Sequence, residues 1–576
     1  MGEKHDRARE DLRAWRELQP SNFFEADHQL QRLLGRLMDG GSFQKRRAHF
    51  EHFGRIVAGP LDQAAQVNNR PHNLPRLERW SAIGERLEAI EHHPTHAVCG
   101  EAIYGDGRVI AAYAEKGSNL YAQALFYLSS HVGEAGHNCP VACTAGVAKV
   151  LATVASDALR DRYLAGVLTP SWEHGLTGAQ FLTEVQGGSD VGANDVVAVP
   201  DGEGKGTTRW KIHGEKWFCS NADADLILMT ARPTNAPEGT RGLGLFLVPR
   251  RLDNGRTNDY ALRRLKDKLG TRSMASGEID FNGATAYAMG PVDKGFNAVM
   301  THVISTSRLY NTVGCAGITR RAYLVASAYT KARRAFGITI DSFPLVSEMM
   351  ANLRSQSQAL TAGAITLASL YDDAETGVLT EGQLAFLRVA TNLAKLRSCQ
   401  HSHRAVLTAI ETLGGNGAIE SFSVLPRLLR DNVVYENWEG THNVLIAQTV
   451  RDFARLRLHR GFLDELRGRL ESLSVDFRKV LSPVVDRLNA AEQAIEHVIT
   501  QKDPGVAALQ LRIHAESLAD CFFAIALAQD VAAEKDTLRR AAETALVRHF
   551  VASFLTEANE ERDDAYLERV RQVAGF

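Results

Sequence analysis

The stretch NVVYENWEGTHNVLIAQTVRDF, starting at Asn432, carries two acids, Glu436 and Glu439. Glu439 stands between Trp438 and Gly440, immediately before an amphipathic run. A carboxylate at that place can cap a helix or complement its dipole. It can also act as a base: an indole beside it excludes water, which raises its basicity from the ordinary glutamate pKa of about 4.3. Glu436 reads as a surface acid. Taken alone, the stretch leaves both readings of Glu439 open.

Four other stretches carry groups of chemical interest. In FLTEVQGGSDVGAN, Thr183, Gly187, Gly188 and Ser189 offer hydroxyls and backbone N–H groups with little bulk. Such a loop can wrap a flat heterocycle or a phosphate, or can simply be a turn. In GEKWFCSNADADLILM, Trp217 and Phe218 can wall a ring system and the Ser220 hydroxyl can reach its edge, although the same aromatics would also fill a barrel. In YTKARRAFGITI, Arg333 and Arg334 end a helical run, where they can grip a phosphate or offset a helix dipole. In ETLGGNGAIE, Gly414, Gly415 and Gly417 form a loop or a helix-ending turn. No GxxxxGK[ST] pattern occurs, and DGEGKGTT reads as a hairpin turn. HNCPVAC sets His137, Cys139 and Cys143 close together, but no second ligand pair follows at zinc spacing; these read as soft core residues on one helix face, and no metal site is expected.

The elements that must position these groups change character along the chain. Residues 1–175 repeat apolar side chains at three- and four-residue steps and read as an N-terminal helical domain. Between 176 and 290, short runs such as TTRWKIHG, DLILMTAR and GLGLFLV are separated by Gly, Pro, Asn and Asp, which marks a middle β domain. Helical periodicity returns over 291–458, and 459–576 form a further helical domain. The predicted fold class is mainly α with a small β domain: helical bundle, β-barrel, helical bundle, plus a C-terminal helical extension. Without βαβ alternation, a Rossmann domain is not indicated.

In order and wording, the motifs resemble the acyl-CoA dehydrogenase family of flavoproteins. They are TExxGGSD at Thr183–Asp190, KWFxSN at Lys216–Asn221, RxxFG at Arg333–Gly337, GGNG at Gly414–Gly417 and EGTxN at Glu439–Asn443. The resemblance covers roughly residues 80–455. GHNCPVACT, EVQGGSDV and RLKDKLGTRSMASGEIDFNGA look most like the branch of the alkylation-response flavoprotein AidB. The resemblance implies FAD as cofactor, with Thr183 on the pyrimidine end of the flavin, Gly188 and Ser189 toward pyrophosphate or substrate, and Phe218 near the ring. It further implies Ser220 donating toward N5, Arg333 with Gly414 and Gly415 on the pyrophosphate of a neighbouring subunit, and Thr441 and Asn443 on the ribityl–phosphate arm. Glu439 matches the base that removes the α-proton of an acyl-CoA thioester. Gly440 leaves room for substrate, and Arg308 helps position substrate near the site entrance. Relatives that take their base from another helix carry it one residue before an arginine. Here that residue is Ser307, which cannot serve.

A homodimer or homotetramer is therefore expected, with an electron-transfer flavoprotein as one electron acceptor and a place in fatty acid metabolism. The alternatives are an AidB-like alkylation-response flavoprotein that binds DNA and a nitroalkane-oxidase-like flavoenzyme; the latter relatives use an aspartate base. Net charge is −2, and the segment from Arg451 onward holds 18 Lys+Arg against 21 Asp+Glu, so nucleic acid is not the expected partner. Seven scattered cysteines, no secretory signal and no membrane-length apolar run suit a cytoplasmic protein. The stripe Ala542, Ala545, Leu546, Phe550 and Phe554 reads as a packing face.

Overall fold

The computed structural model describes residues 2–39, 41–204, 207–556 and 562–575. The expected succession of helix, strand and helix is present. The chain divides into two compact units. One comprises Met1–Gly59, Asn119–Gly133 and Asn311–Phe576, the other Pro60–Ser118 and Glu134–Tyr310.

The second unit is built on a seven-stranded sheet. Its strands are Gly178–Phe181, Val197–Gly204, Thr207–Ser220, Leu226–Pro233, Gly244–Pro249, Tyr260–Leu265 and Ser276–Ala288. Leu226–Pro233 pairs with Val197–Gly204 on one side and Gly244–Pro249 on the other. Gly244–Pro249 and Thr207–Ser220 both pair with Ser276–Ala288, so the ring closes into a barrel. LILMTA is buried at every position, which is why it reads as an unbroken apolar run. Phe181, Ile212, Met229, Phe246 and Phe281 fill the interior. The strands on either side of DGEGKGTT pair antiparallel, with Gly204 opposite Thr207, as a hairpin requires; Lys205 and Gly206 lie outside the described residues.

One element departs from the helical reading of the first 175 residues. Arg76–Trp80 and Arg86–Glu91 form an antiparallel hairpin whose Leu77 and Ile90 pack onto the barrel core. With only two of its side chains turned to that core, the hairpin carries too short an alternation to register as strand. Cys139 and Cys143 are buried on the Ala135–Thr153 helix, and the described residues contain no group of His, Cys, Asp and Glu suited to a metal.

The first unit is helical. Its long members are Ser305–Ala332 from Asn311 onward, Pro344–Thr376 and Glu381–Thr412, followed by Leu425–Asn437 and His442–Leu456. Proline at the first position starts Pro344–Thr376, and Gly377 at φ +80° ends it. Thr380 and Gln383 form a capping box that starts Glu381–Thr412. The stripe on Thr537–Phe554 packs inward, with Phe550 and Phe554 against His401. Among the described residues no helix is long and apolar enough to cross a membrane.

Candidate functional site

The predicted site residues fall into two groups, one in each unit. In the helical unit, Leu425–Asn437 ends at Trp438, whose backbone N–H donates to Val434 O at 3.1 Å. The chain then reverses. Glu439 is left-handed at φ +57° and Gly440 at φ +98°, and Thr441 occupies the N-cap position of His442–Leu456. Left-handed backbone costs an L residue about 1–2 kcal/mol, so the surroundings must impose it at Glu439. Its effect is to stand the carboxylate at the junction of two helices. Glu439 is half-buried, with its Oε2 shut off from solvent.

Three fixtures hold this turn. The Trp438 indole donates to Asn311 Oδ1 on Ser305–Ala332, and its ring lies 4.9 Å from that of Tyr435. Asn432 Nδ2 donates to Cys399 O at 3.1 Å, which locks Leu425–Asn437 to Glu381–Thr412. Lys395, fully buried on Glu381–Thr412, donates from Nζ to Gly440 O at 2.8 Å and to Glu436 O at 3.2 Å. Glu436 is not the surface acid expected: it is half-buried, with Oε1 3.0 Å from His403 Nδ1. The helix of His403 runs alongside it, which one strand of sequence does not reveal. His442, the first residue of the next helix, has its pKa lowered to about 4, by burial first and then by the Lys395 charge.

Arg333 and the glycine loop meet in the same unit. Asn416, between Gly415 and Gly417, donates to the hydroxyl of Tyr329, one turn before Arg333. Gly414 is at φ +59°, and a Cβ on Gly414 or Gly415 would face open space, whereas one on Gly417 would meet Ile410 O at 2.2 Å. The two arginines diverge. Arg334 is paired with Asp11 at 2.8 Å, and Arg333 has no ion pair among the described residues. Beyond them, Phe336 at the tip of a two-residue hairpin is 98% exposed. Thr441 and Asn443 are exposed at the start of their helix.

In the barrel unit the register between Thr207–Ser220 and Ser276–Ala288 slips between Lys216 and Cys219. This bulge lifts Phe218 to 38% exposure, with Trp217 covered by the Lys266 ammonium 3.6 Å from its ring centroid. Trp217 N donates to Thr183 O at 2.9 Å, so the bulge and the Thr183–Asp190 turn are neighbours. Gly188 passes under Thr183, where a Cβ would meet Thr183 Oγ1 at 2.6 Å. Ser189 is exposed and Ser220 half-buried. Behind the turn, the fully buried Lys216 ammonium lies 2.7 Å from Glu184 Oε1 and donates to Leu182 O. Glu184 in turn accepts from the backbone N–H groups of Asp195 and Val196. Burial pulls the Lys216 pKa down, and the Glu184 charge opposes it. Arg308 is buried, and Ser307 beside it donates to Gln180.

Glu184 and Lys216 lie within the TExxGGSD and KWFxSN motifs but carry no assigned role there, and Lys395 lies in none of the motifs. Lys395 does carry a signal: with Cys399 and His403 it forms an i, i+4, i+8 row facing Leu425–Asn437, within the run TNLAKLRSCQHSH.

These residues fit FAD. An aromatic lifted out of the barrel beside small hydroxyl groups suits a flat ring, and open-faced glycines near an arginine outside any described ion pair suit a diphosphate.

Comparison with known proteins accords with this fit. Residues 293–453 match the acyl-CoA dehydrogenase C-terminal domain, 179–284 the acyl-CoA dehydrogenase middle domain, and 15–174 the adaptive response protein AidB N-terminal domain. Acyl-CoA dehydrogenase family member 11 of Caenorhabditis elegans is 31% identical over 458 residues, covering 75% of this chain and 71% of that protein. The putative acyl-CoA dehydrogenase AidB of Escherichia coli K12 is 31% identical over 393 residues, 66% of this chain and 69% of that protein. The crystal structure of Caenorhabditis elegans ACDH-11 in complex with C11-CoA superposes with a TM-score of 0.84 at 24% identity, covering 94% of this chain and 93% of that one. The chain thus belongs to the acyl-CoA dehydrogenase family, whose cofactor is FAD, and it opens with the domain type named for AidB.

Proposed function

We propose that the chain dehydrogenates an acyl-CoA thioester between Cα and Cβ, with Glu439 as the base. The observation that carries this reading is the Glu439 turn: a carboxylate in an imposed left-handed conformation, one oxygen closed to solvent, at the mouth of a helix. A cap would not need that conformation. A base for a carbon acid does need partial dehydration, because a solvated glutamate is too weak. Glu439 takes the α-proton. The electrons of that C–H bond form the Cα=Cβ double bond, and the β-hydrogen leaves as hydride. FAD, when bound, supplies the hydride acceptor at N5. The Glu439 backbone N–H is assigned to the thioester carbonyl, which gains negative charge as the proton leaves. Thr183, Gly188, Ser189, Phe218, Ser220, Arg333, Gly414, Gly415, Thr441 and Asn443 are assigned to FAD, and Ser189, Arg308 and Gly440 to substrate. An electron-transfer flavoprotein is the acceptor in this reading. The exposed Phe336 beside Arg333 supports a homodimer or homotetramer in which a second subunit covers that tip.

The test is anaerobic titration of the holoprotein with a panel of acyl-CoA thioesters. One chain type bleaches the flavin, and Glu439→Gln keeps FAD but does not bleach. A variant that bleaches at the wild-type rate removes Glu439 as the base.

One observation favours a second reading, DNA binding. A groove of about 1080 Å³ in the C-terminal segment is lined by Lys479, Arg540 and Arg548 with Asp476. Retention on duplex DNA that falls steeply with salt supports it, and salt-independent flow-through rejects it.

A further inference from the structure

We propose that Lys395 is a positioning residue for Glu439, its ammonium clamping the carbonyls on both sides of that residue and so fixing where the carboxylate points. The inference rests on Glu439 being the base, and the closing experiment separates the two.

The geometry is specific. Nζ reaches Gly440 O, one residue after Glu439, at 2.8 Å and Glu436 O, three residues before it, at 3.2 Å. The segment between those carbonyls contains the helix end at Asn437, the cap at Trp438 and the left-handed Glu439. Both carbonyls belong to chain that has left regular structure or is about to, where no helical partner serves them. A single charged donor drawing both inward closes the turn like a clasp. A lysine suits this better than an arginine, because a compact ammonium with three donors can serve two carbonyls that are not coplanar.

The anchor is itself rigid. Lys395 is 0% exposed and sits near the middle of Glu381–Thr412. The same helix meets Leu425–Asn437 at three further points. Cys399 Sγ approaches Tyr435 O at 3.4 Å, Cys399 O accepts from Asn432, and His403 lies 3.0 Å from Glu436. Gly314 lets Tyr435 come close from the other side, since a Cβ there would meet the Tyr435 ring at 2.8 Å. Helix, clasp and turn therefore move as one body, and the clasp is the part that touches the backbone on either side of Glu439. The energetic logic is one of geometry rather than contact with substrate: a reacting atom displaced by about 1 Å can lose about a hundredfold in rate while substrate still binds.

The experiment compares Lys395→Met and Lys395→Gln with Glu439→Gln, all as FAD-loaded protein well below the thermal transition. Three readouts are taken: the rate of flavin reduction on mixing with a bleaching acyl-CoA, the KM for that acyl-CoA, and exchange of the acyl-CoA α-proton for solvent deuterium followed by NMR. We expect K395M to lose about ten- to a hundredfold in both reduction and exchange with KM within about twofold. K395Q, which keeps donors but not the charge, should lie between K395M and the wild type. Wild-type reduction and exchange rates in K395M, alongside an inactive E439Q, overturn the positioning role and leave the base in place. An active E439Q overturns the underlying reading instead. Loss of FAD or of folding in both lysine variants also overturns the proposal, because Lys395 would then be a prop of the whole helical unit rather than a device acting through Glu439.

Discussion

Lys216 in the barrel unit and Lys395 in the helical unit are two buried ammonium groups, each behind a turn that carries predicted site residues. Their anchoring differs. Lys216 lies 2.7 Å from the carboxylate of Glu184, which also accepts from two backbone N–H groups. Lys395 donates to two main-chain carbonyls. An ion pair inside a core is stiff but unforgiving, since losing one partner leaves a bare charge. A charge held by carbonyls can be removed with only dipoles left behind. The barrel turn is thus built to hold a shape, and the helical turn to hold one residue in a conformation it would not choose.

The largest test of this contrast is Lys216→Met. It strands the Glu184 carboxylate and should cost about 3–5 kcal/mol in a denaturant titration, with Lys216→Met/Glu184→Gln recovering part of the loss. A cost below about 1 kcal/mol would erase the distinction between the two anchors. Lys395→Met should cost less, about 1–3 kcal/mol, because two carbonyls lose a donor but no charge is left unpaired. Its stability loss and its rate loss are separate measurements, and only the second bears on Glu439.

Acid sharpens the comparison in another way, since each unit also buries a neutral imidazole. His131 in the helical unit and His137 in the barrel unit both have pKa values pushed down to about 3, by burial above all. A depressed histidine contributes stability that is complete above its unfolded pKa, near 6.5, and is lost as pH falls toward the folded value. Each should therefore steepen the fall in stability between pH 6.5 and pH 3, by at most about 1.4 kcal/mol per pH unit. Denaturant midpoints that stay flat from pH 7 to pH 5 would contradict both, and His137→Gln should flatten the slope in part.

The smallest effect is expected for Gly188→Ala. Its Cβ would fall 2.6 Å from Thr183 Oγ1, so the threonine must rotate or the turn must shift. Stability should drop by about 1 kcal/mol or less, whereas FAD affinity, measured by fluorescence on reconstitution of the apoprotein, should fall more clearly. Thr183→Ala in the same background should relieve the clash.

Much of the fold was legible in the residues. The shift from three- and four-residue periodicity to short alternating runs near residue 176, and back near 291, follows local propensity and burial, which neighbouring residues report on together. The hairpin at 76–91 was not legible, because its strands turn two side chains onto a barrel that begins only at Gly178, far along the chain. In the site, the left-handed Glu439 was half legible: Gly440 announced a reversal, but nothing local says that the preceding residue joins it. Glu436 was misread because its partner His403 lies on another helix.

The sequence by itself determined which chemical groups are present and in what order, together with the helical and strand segments that carry them, since each depends on residues within a few positions. Only the tertiary structure decided which charges became anchors. Lys216 meets Glu184 across 32 positions, and Lys395 meets Glu436 and Gly440 across 41 and 45. A lysine's type does not say whether it will be solvated or buried; that is settled when distant helices and strands pack and remove the water around it.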